Sequence, residues 1–337
     1  MSSKLHICIH GAGGLGSLIG GYLAKSGHQV TLIARQAHAD IVNDKGLTIF
    51  GRLGEMLIKD NISAVTHPKD VKGDIDYYLL LTKAKDAAAA LDDAAVIADQ
   101  IKCAFTMQNG VGKEATLVDA FGKGRVIGGS IIEGATLVEP GKVNNHVTAP
   151  ITAYFGELGG GSTKRTEILA DAFSAANLTA KSIDDIDHVL WEKAIQVAGA
   201  SAWSASSLPA NPKLDYWDGI STKEGAEHYV TIARELIGLY KAKGFMPKDY
   251  YAPFSFHKML DEASFEHCVD VCIDLGKTMK PKNAGVRTSM HEDILNAKTT
   301  EADSLFGPLL EAGKEHNVDM ATFIGAYRVI KVIDSNL

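Results

Sequence analysis

What most constrains this chain is a glycine pattern close to its start. Leu5-His6-Ile7-Cys8-Ile9-His10 is a short apolar run that ends in Gly11-Ala12-Gly13-Gly14-Leu15-Gly16, after which Leu15, Leu18, Ile19, Tyr22 and Leu23 recur at helical spacing up to Gly27. Strand, glycine turn and helix therefore follow one another directly. In Gly11-x-Gly13-x-x-Gly16 the first glycine permits the tight turn, the second lets the backbone approach a pyrophosphate, and the third lets helix and strand pack closely. The helix N-terminus then presents free N–H groups and the positive end of its dipole to the anion, Gly14 and Leu15 included. Gln29 to Ala34 reads as a second strand, so about thirty residues make one parallel, right-handed βαβ unit. The alternative is a glycine turn of purely structural use.

Further strand-like runs stand at Tyr77–Thr82, Cys103–Gln108 and Val126–Ser130, separated by the helix-like stretches Asp86–Gln100 and Lys113–Phe121. Alternation of this kind predicts a doubly wound sheet. From Glu133 to Glu157 short alternating segments with Pro140-Gly141 and Asn144-Asn145 read as antiparallel strands, and Lys164–Ala176 as one more helix. Beyond about Ile183 the strand signals end and long helix-period stretches dominate. The expected organisation is an α/β chain with a Rossmann dinucleotide-binding domain over residues 1–184 and an all-helical domain over residues 185–337.

Composition narrows the function. With 337 residues, 33 Gly and 9 Pro the chain is neither collagen-like nor disordered. Lys and Arg number 34 against 41 Asp and Glu, a net charge of -7, so there is no basic surplus to grip nucleic acid. Six glycines interrupt the apolar stretch Leu5–Ala24, which argues against a signal peptide, and no run of apolar residues is long enough for a membrane span. A soluble, cytoplasmic protein without a membrane partner is expected. Cys8, Cys103, Cys268 and Cys272 form no C-x-x-C pair, and the histidines, His267, His291 and His316 among them, lack metal-ligand spacing. Reduced core thiols and no metal follow.

Cofactor choice rests on the end of the second strand. Sites for NAD place Asp or Glu there to hold the ribose 2′-hydroxyl, whereas sites for NADP use Arg for the 2′-phosphate. The chain has Leu32-Ile33-Ala34-Arg35-Gln36 with no acid before Asp40. A guanidinium binds phosphate through two hydrogen bonds, so Arg35 points to NADP.

Together with that loop, Leu-Ile-Ala-Arg35, Leu-Thr-Lys83-Ala, Gln108-Asn109-Gly110, Leu-Trp191-Glu-Lys193, and Ser289-Met290 followed by Glu301 give the chain a resemblance to the ketopantoate reductase (2-dehydropantoate 2-reductase) family over nearly its full length. The resemblance implies NADPH-dependent reduction of a small 2-keto acid. It implies Lys193 as the general acid, since an ammonium both stabilises and protonates the oxygen that becomes alkoxide-like. It implies Glu301 as a carboxylate orienting substrate and lysine, Ser289 as a substrate hydrogen-bond donor, and Asn109 and Lys83 at the cofactor and substrate. On their own chemistry these residues have plainer readings: Lys193 solvated or paired with Asp187, Glu301 complementing a helix dipole, Asn109 in a turn.

The departures are as informative. The family carries asparagines four and eight residues after the lysine and three before the serine, where this chain has Val197, Ser201 and Val286. Val197, Ala200, Ser201 and Ser204 make a stripe of small side chains on one helix face, which leaves room for a ligand. The expected substrate is accordingly a 2-keto acid with a less polar or larger tail, contacted by Ser201, with Arg287 recognising its carboxylate. Alternatives are an opine or 3-hydroxyacid type of nicotinamide dehydrogenase and a non-catalytic NADPH-binding sensor. Amphipathic C-terminal helices are consistent with a homodimer face, although a buried helix reads the same way.

Overall fold

The structure is a computed structural model and describes residues 4–282 and 285–337. Its strands are β1 (His6–His10), β2 (Gln29–Ile33), β3 (Leu47–Gly51), β4 (Met56–Ile58), β5 (Ile62–Val65), β6 (Ile75–Leu80), β7 (Ile101–Thr106), β8 (Ile127–Glu139), β9 (Lys142–Glu157) and β10 (Ala180–Ser182). The α-helices are α1 (Gly14–Lys25), α2 (Gln36–Lys45), α3 (Ala87–Ala94), α4 (Glu114–Phe121), α5 (Lys164–Ala175), α6 (Ile186–Ser207), α7 (Tyr216–Ile220), α8 (Lys223–Ala242), α9 (His257–Glu262), α10 (Phe265–Met279), α11 (Ser289–Leu295), α12 (Ala302–Glu315) and α13 (Ala321–Asp334).

Two compact units result. Met1–Gln108 and Gly112–Leu190 make the first, Asn109–Val111 and Trp191–Leu337 the second. The division falls inside α6, a little beyond the compositional boundary, and the short segment 109–111 goes with the helices rather than with the strand it follows.

In the first unit β5, β2, β1, β6 and β7 form a wholly parallel sheet in that order. The strand order reverses on either side of β1, and a doubly wound sheet binds its ligand at such a switch point. A second sheet, β10-β9-β3-β4 with β8 on β9, was legible in the sequence only as its central hairpin. There the expected short segments are two long strands, whose pairing shifts register between Ile131 and Glu133 and again near Gly134 and Leu137.

Helix α1 lies between the two sheets, and its glycines make this possible. A Cβ on Gly20 would stand 2.7 Å from Leu32 and 3.2 Å from Ile9 and Val30 of the first sheet. A Cβ on Gly21 would stand 2.5 Å from Ile49, 2.9 Å from Leu47 and 3.0 Å from Ile58 of the second. The core around the helix is closed by Phe105, Phe155 and Phe173, which meet edge to face.

Among the described residues the second unit has helices and no strand. On α8, Ala226, Tyr229, Val230, Ala233, Leu236, Ile237 and Tyr240 recur at helical spacing and are buried. They pack around Trp203 of α6, which is fully buried and donates from Nε1 to Gly225 O at 2.9 Å. No helix among the described residues is long and apolar enough to cross a membrane. All four cysteines are buried free thiols, and burial pushes Cys8, Cys103 and Cys272 up to about 12.

Because three side-chain tips already crowd the space a Cβ would take, Gly21→Val should destabilise the first unit by about 1–3 kcal/mol. Urea unfolding measures it, and a wild-type midpoint would show that the two sheets can part around α1.

Candidate functional site

At the C-terminal edge of the parallel sheet lies a cleft of about 650 Å³, lined by Gly11, Ala12 and Gly13 after β1, Arg35, Gln36 and His38 after β2, Thr66 after β5, and Leu81, Thr82 and Lys83 after β6. Gly11, Gly13, Arg35 and Lys83, widely spaced in sequence, are thus brought to one cavity.

Each glycine of the loop has its own constraint. Gly11 holds φ +106, and a Cβ there would lie 2.5 Å from the backbone of Leu81 and Thr82, so the loop after β1 and the loop after β6 touch through it. Gly16 fits against Gly11 O, where a Cβ would come within 2.4 Å, which seats α1 on the turn. Gly13 has nothing within 4 Å of the corresponding position, so its backbone faces open cleft. Ser17 N donates to Gly13 O at 3.0 Å as the first bond of the helix, and Gly14, Leu15 and Gly16 precede it with the N–H groups that a helix start leaves for an anion. Gly13 caps the helix without a side chain, and no acid stands in the first turn. Open space over Gly13 and unblocked amides behind it fit a dinucleotide pyrophosphate.

Arg35 is exposed at the end of β2, and its guanidinium has no hydrogen bond or ion pair among the described residues. Behind it, His38 braces the loop. Its Nδ1 accepts from Gly141 N at 2.9 Å, which leaves the proton of the neutral ring on Nε2, 3.0 Å from Ser17 Oγ. Ser17 Oγ in turn donates to Ala12 O at 3.2 Å. Burial lowers the His38 pKa and so favours the neutral ring this chain of bonds requires. His38 was not singled out from the sequence, and Gln108 was read only as part of a motif. Gln108 Nε2 donates to Thr82 O at 2.6 Å and so joins the loop after β7 to the one after β6.

The second unit carries the remaining candidates. Lys193 lies on α6 and is only 7% exposed; Ser201 and Ser204 of the same helix are buried, and Val197 is half-buried. Ser204 Oγ lies 2.8 Å from Thr288 Oγ1, and Thr288 caps α11, whose first residue is the exposed Ser289. The stripe on α6 is thereby tied to the helix that bears Ser289. Glu301 occupies the N-cap of α12 without capping it through its side chain. Thr300 Oγ1 accepts from Ala302 N at 3.3 Å at the start of α12, while its own N–H and hydroxyl donate to Asp334. Asn109 is exposed; next to it Gly110 rests near Ser304 O of α12, the carbonyl that Pro308 deprives of its helical donor, and Val111 joins the helical core. The glutamine-asparagine-glycine motif therefore divides, Gln108 with the strands and Asn109 with the helices.

Arg287 departs from the expectation placed on it. Its Nε donates to Leu214 O at 3.2 Å, one terminal nitrogen to Pro212 O at 3.0 Å, and the other faces Glu292 at 3.2 Å. A guanidinium with three of its five donors so engaged is a loop fastener, poorly placed to take a substrate carboxylate. His291, which the sequence showed only to lack metal-ligand spacing, is fully buried with neither ring nitrogen hydrogen-bonded among the described residues, and burial lowers its pKa.

Comparison with known proteins identifies the family. Residues 7–160 match the family model described as "Ketopantoate reductase PanE/ApbA", and residues 185–334 match its C-terminal model. The chain belongs to this family. It is 27% identical over 305 residues to an uncharacterized oxidoreductase of Bacillus subtilis, YkpB, with 90% of each chain covered. The crystal structure of 2-dehydropantoate 2-reductase from Methylococcus capsulatus superposes with a TM-score of 0.77 at 25% identity, covering 98% of this chain and 97% of that one. A D-mandelate dehydrogenase solved with NADH and anilino(oxo)acetate shares the fold with a TM-score of 0.76 at 22% identity, covering 98% and 99%. Family membership makes this chain an oxidoreductase of the ketopantoate reductase type.

The last residue of β1 also borders the cleft. His10 Nδ1 lies 2.7 Å from the Tyr78 hydroxyl, whose proton burial holds firmly in place. Burial foremost, and His67 in addition, lower the His10 pKa to about 4 against the opposing pull of Asp93. The unfolded chain takes up this proton near 6.5 and the folded chain only near 4. The stability His10 contributes is therefore complete above about pH 6.5 and falls by roughly 3 kcal/mol as pH drops towards 4. Unfolding free energies measured at pH 7 and pH 4.5 should differ less in His10→Asn than in wild type; equal slopes would remove His10 as the cause.

Proposed function

We propose that the protein reduces a 2-keto acid to the 2-hydroxy acid with NADPH. The observation that carries the cofactor half is Arg35, exposed and without a partner among the described residues, in the same cleft as Gly13, at the place where an NAD site keeps a carboxylate. NADPH would be held by Gly11, Gly13, Gly14, Leu15 and Gly16 at its pyrophosphate, by Arg35 at the 2′-phosphate, and with the help of Lys83 and Asn109; when bound it supplies the hydride that adds to the keto carbon.

The other half is the chain's own acid chemistry. Lys193 gives a proton from Nζ to the keto oxygen as negative charge develops there, and its near-complete burial strengthens that interaction. Glu301 orients the ammonium and the substrate, while Ser289, Ser201 and Asn109 supply hydrogen bonds to the substrate. Val197, Ser201 and Val286 in place of amides favour a tail with few polar groups, so ketopantoate is one candidate among several. A site built without hydrogen-bonding partners gains little from a hydroxyl on its ligand. Arg287, tied into its own loop, is left out of this reading.

Oxidation of NADPH, followed at 340 nm with ketopantoate, 2-ketoisovalerate and phenylglyoxylate and repeated with NADH, tests the proposal directly. At least one acid should turn over, with NADPH preferred; consumption only when an amine is added would instead indicate opine chemistry, and tight NADPH binding without turnover a sensor. In Arg35→Ala the NADPH dissociation constant should rise about tenfold to a hundredfold and that for NADH should stay put. Lys193→Ala should lower kcat by about 10²–10⁴ with NADPH affinity unchanged, and wild-type kcat in this variant would take Lys193 out of the mechanism.

A further inference from the structure

Directly beside Lys193 on α6 lies a carboxylate that has no part in the chemistry above. Glu192 is 2% exposed, and an ionised carboxylate is tolerated at that depth only where donors surround it. Its Oε2 accepts from Lys248 N at 2.7 Å and its Oε1 from Tyr250 N at 2.9 Å. One helical turn further on, Gln196 Nε2 donates to Phe254 O at 2.8 Å. Residues four apart share a helix face, so α6 grips a single strap of chain, residues 248–254, at two points between which Lys193 lies.

The strap is fastened to itself as well. Asp249, in the left-handed region with φ +54, accepts at Oδ1 from His257 N at 2.6 Å and Lys258 N at 3.3 Å, and Tyr251 N donates to Ser255 Oγ at 3.1 Å. Between the two carboxylates stands His257, 5% exposed, with Nδ1 3.9 Å from Glu192 Oε1 and 3.9 Å from Asp249 Oδ1 and hydrogen-bonded to neither. Burial works to raise the Glu192 pKa, but His257 and the N–H groups of Lys248 and Tyr250 outweigh it and hold the carboxyl below its usual range. Glu192 is thus a fixed anion with the strap wrapped over it.

Two carboxylates and an imidazole whose ligand atoms lie within 4.8 Å of one another could also hold a divalent cation. The oxygens facing His257 already accept three backbone N–H groups, one at Glu192 and two at Asp249, which leaves them poor metal ligands and good latches. We propose that Glu192 is a positioning residue for the reaction: by latching the strap 248–254 to α6, with Asp249 and His257 completing the latch, it holds the turn of helix that carries Lys193 in one arrangement. This inference rests on the reading of Lys193 as the proton donor.

The test compares wild type, Glu192→Gln and Lys193→Met as full chains, with the keto acid of the panel that turns over fastest and with acetic anhydride as a probe of lysine reactivity that needs no substrate. In Glu192→Gln one of the two strap N–H groups faces an amide N–H instead of an oxygen. Its kcat should fall at least tenfold while the NADPH dissociation constant stays within twofold, and acetylation of Lys193 should quicken at least fivefold relative to the half-buried Lys113. Wild-type kcat together with wild-type labelling of Lys193 would overturn the latch. If Lys193→Met keeps wild-type kcat, the role given to Lys193 fails, and the labelling rate alone then decides whether Glu192 orders it. Should Glu192→Gln not fold, Gln196→Ala, which releases the strap's second grip, is read in the same way. Zinc or manganese that raises the melting temperature of wild type but not of His257→Gln would make the trio a metal site and reject the latch.

Discussion

The first unit depends on how closely α1 can approach its surroundings. One face of the helix meets β1 and β2 across Gly20, the other meets β3 and β4 across Gly21, and its first turn meets the glycine loop across Gly16. Three separate packing demands therefore fall on the six residues from Gly16 to Gly21, each met by the lack of a side chain. The position of the helix start, and with it the anion-binding amides, is fixed by contacts on all sides rather than by the loop alone. The His38 bonds to Gly141 and Ser17 add a polar brace from the second sheet to the same place. A cofactor cleft built in this way is preorganised, and ordering costs are met by folding rather than by binding.

Much of this was readable from the sequence because its causes are local. A tight turn at Gly11, an anion approach at Gly13 and a helix seat at Gly16 each demand glycine at a fixed offset, and the structure puts all three to those uses. The second sheet was hard to read because β3 and β4 are short and β3 finds its other partner far away: Thr48 pairs with the nearby Leu57 and also with Lys142. The helix expected over Asp86–Gln100 is α-helical only to Ala94 and winds more tightly over Ala95–Gln100. In Arg287 the sequence displays a cation but not the carbonyls of Pro212 and Leu214 that occupy it. Glu192 was read as a letter in a motif; its function as an acceptor for Lys248 and Tyr250 follows only from folding.

The helical unit faces a different problem, that of accommodating a buried lysine. Lys193 sits on a helix whose neighbouring positions are given to small or buried polar groups: Ser201, Ser204 and Glu192 are all buried. Polar atoms in such a place cost stability unless paired, and each of the pairings seen, Ser204 with Thr288 and Glu192 with the strap, ties another segment to α6. The helix thereby becomes the beam on which the unit's polar groups are arranged.

The path of the chain carries an evolutionary consequence. Asn109, Gly110 and Val111 leave the strand-rich unit after β7, pack with the helices, and return before α4, so the backbone passes between the units three times. A single recombination point near the start of α6 would transplant the helices without Val111, leaving a side-chain-sized gap in their core and an apolar loop on the donor. The two units therefore cannot be exchanged as independent cassettes. Diversification in such an architecture has to proceed by substitution within the units rather than by their exchange.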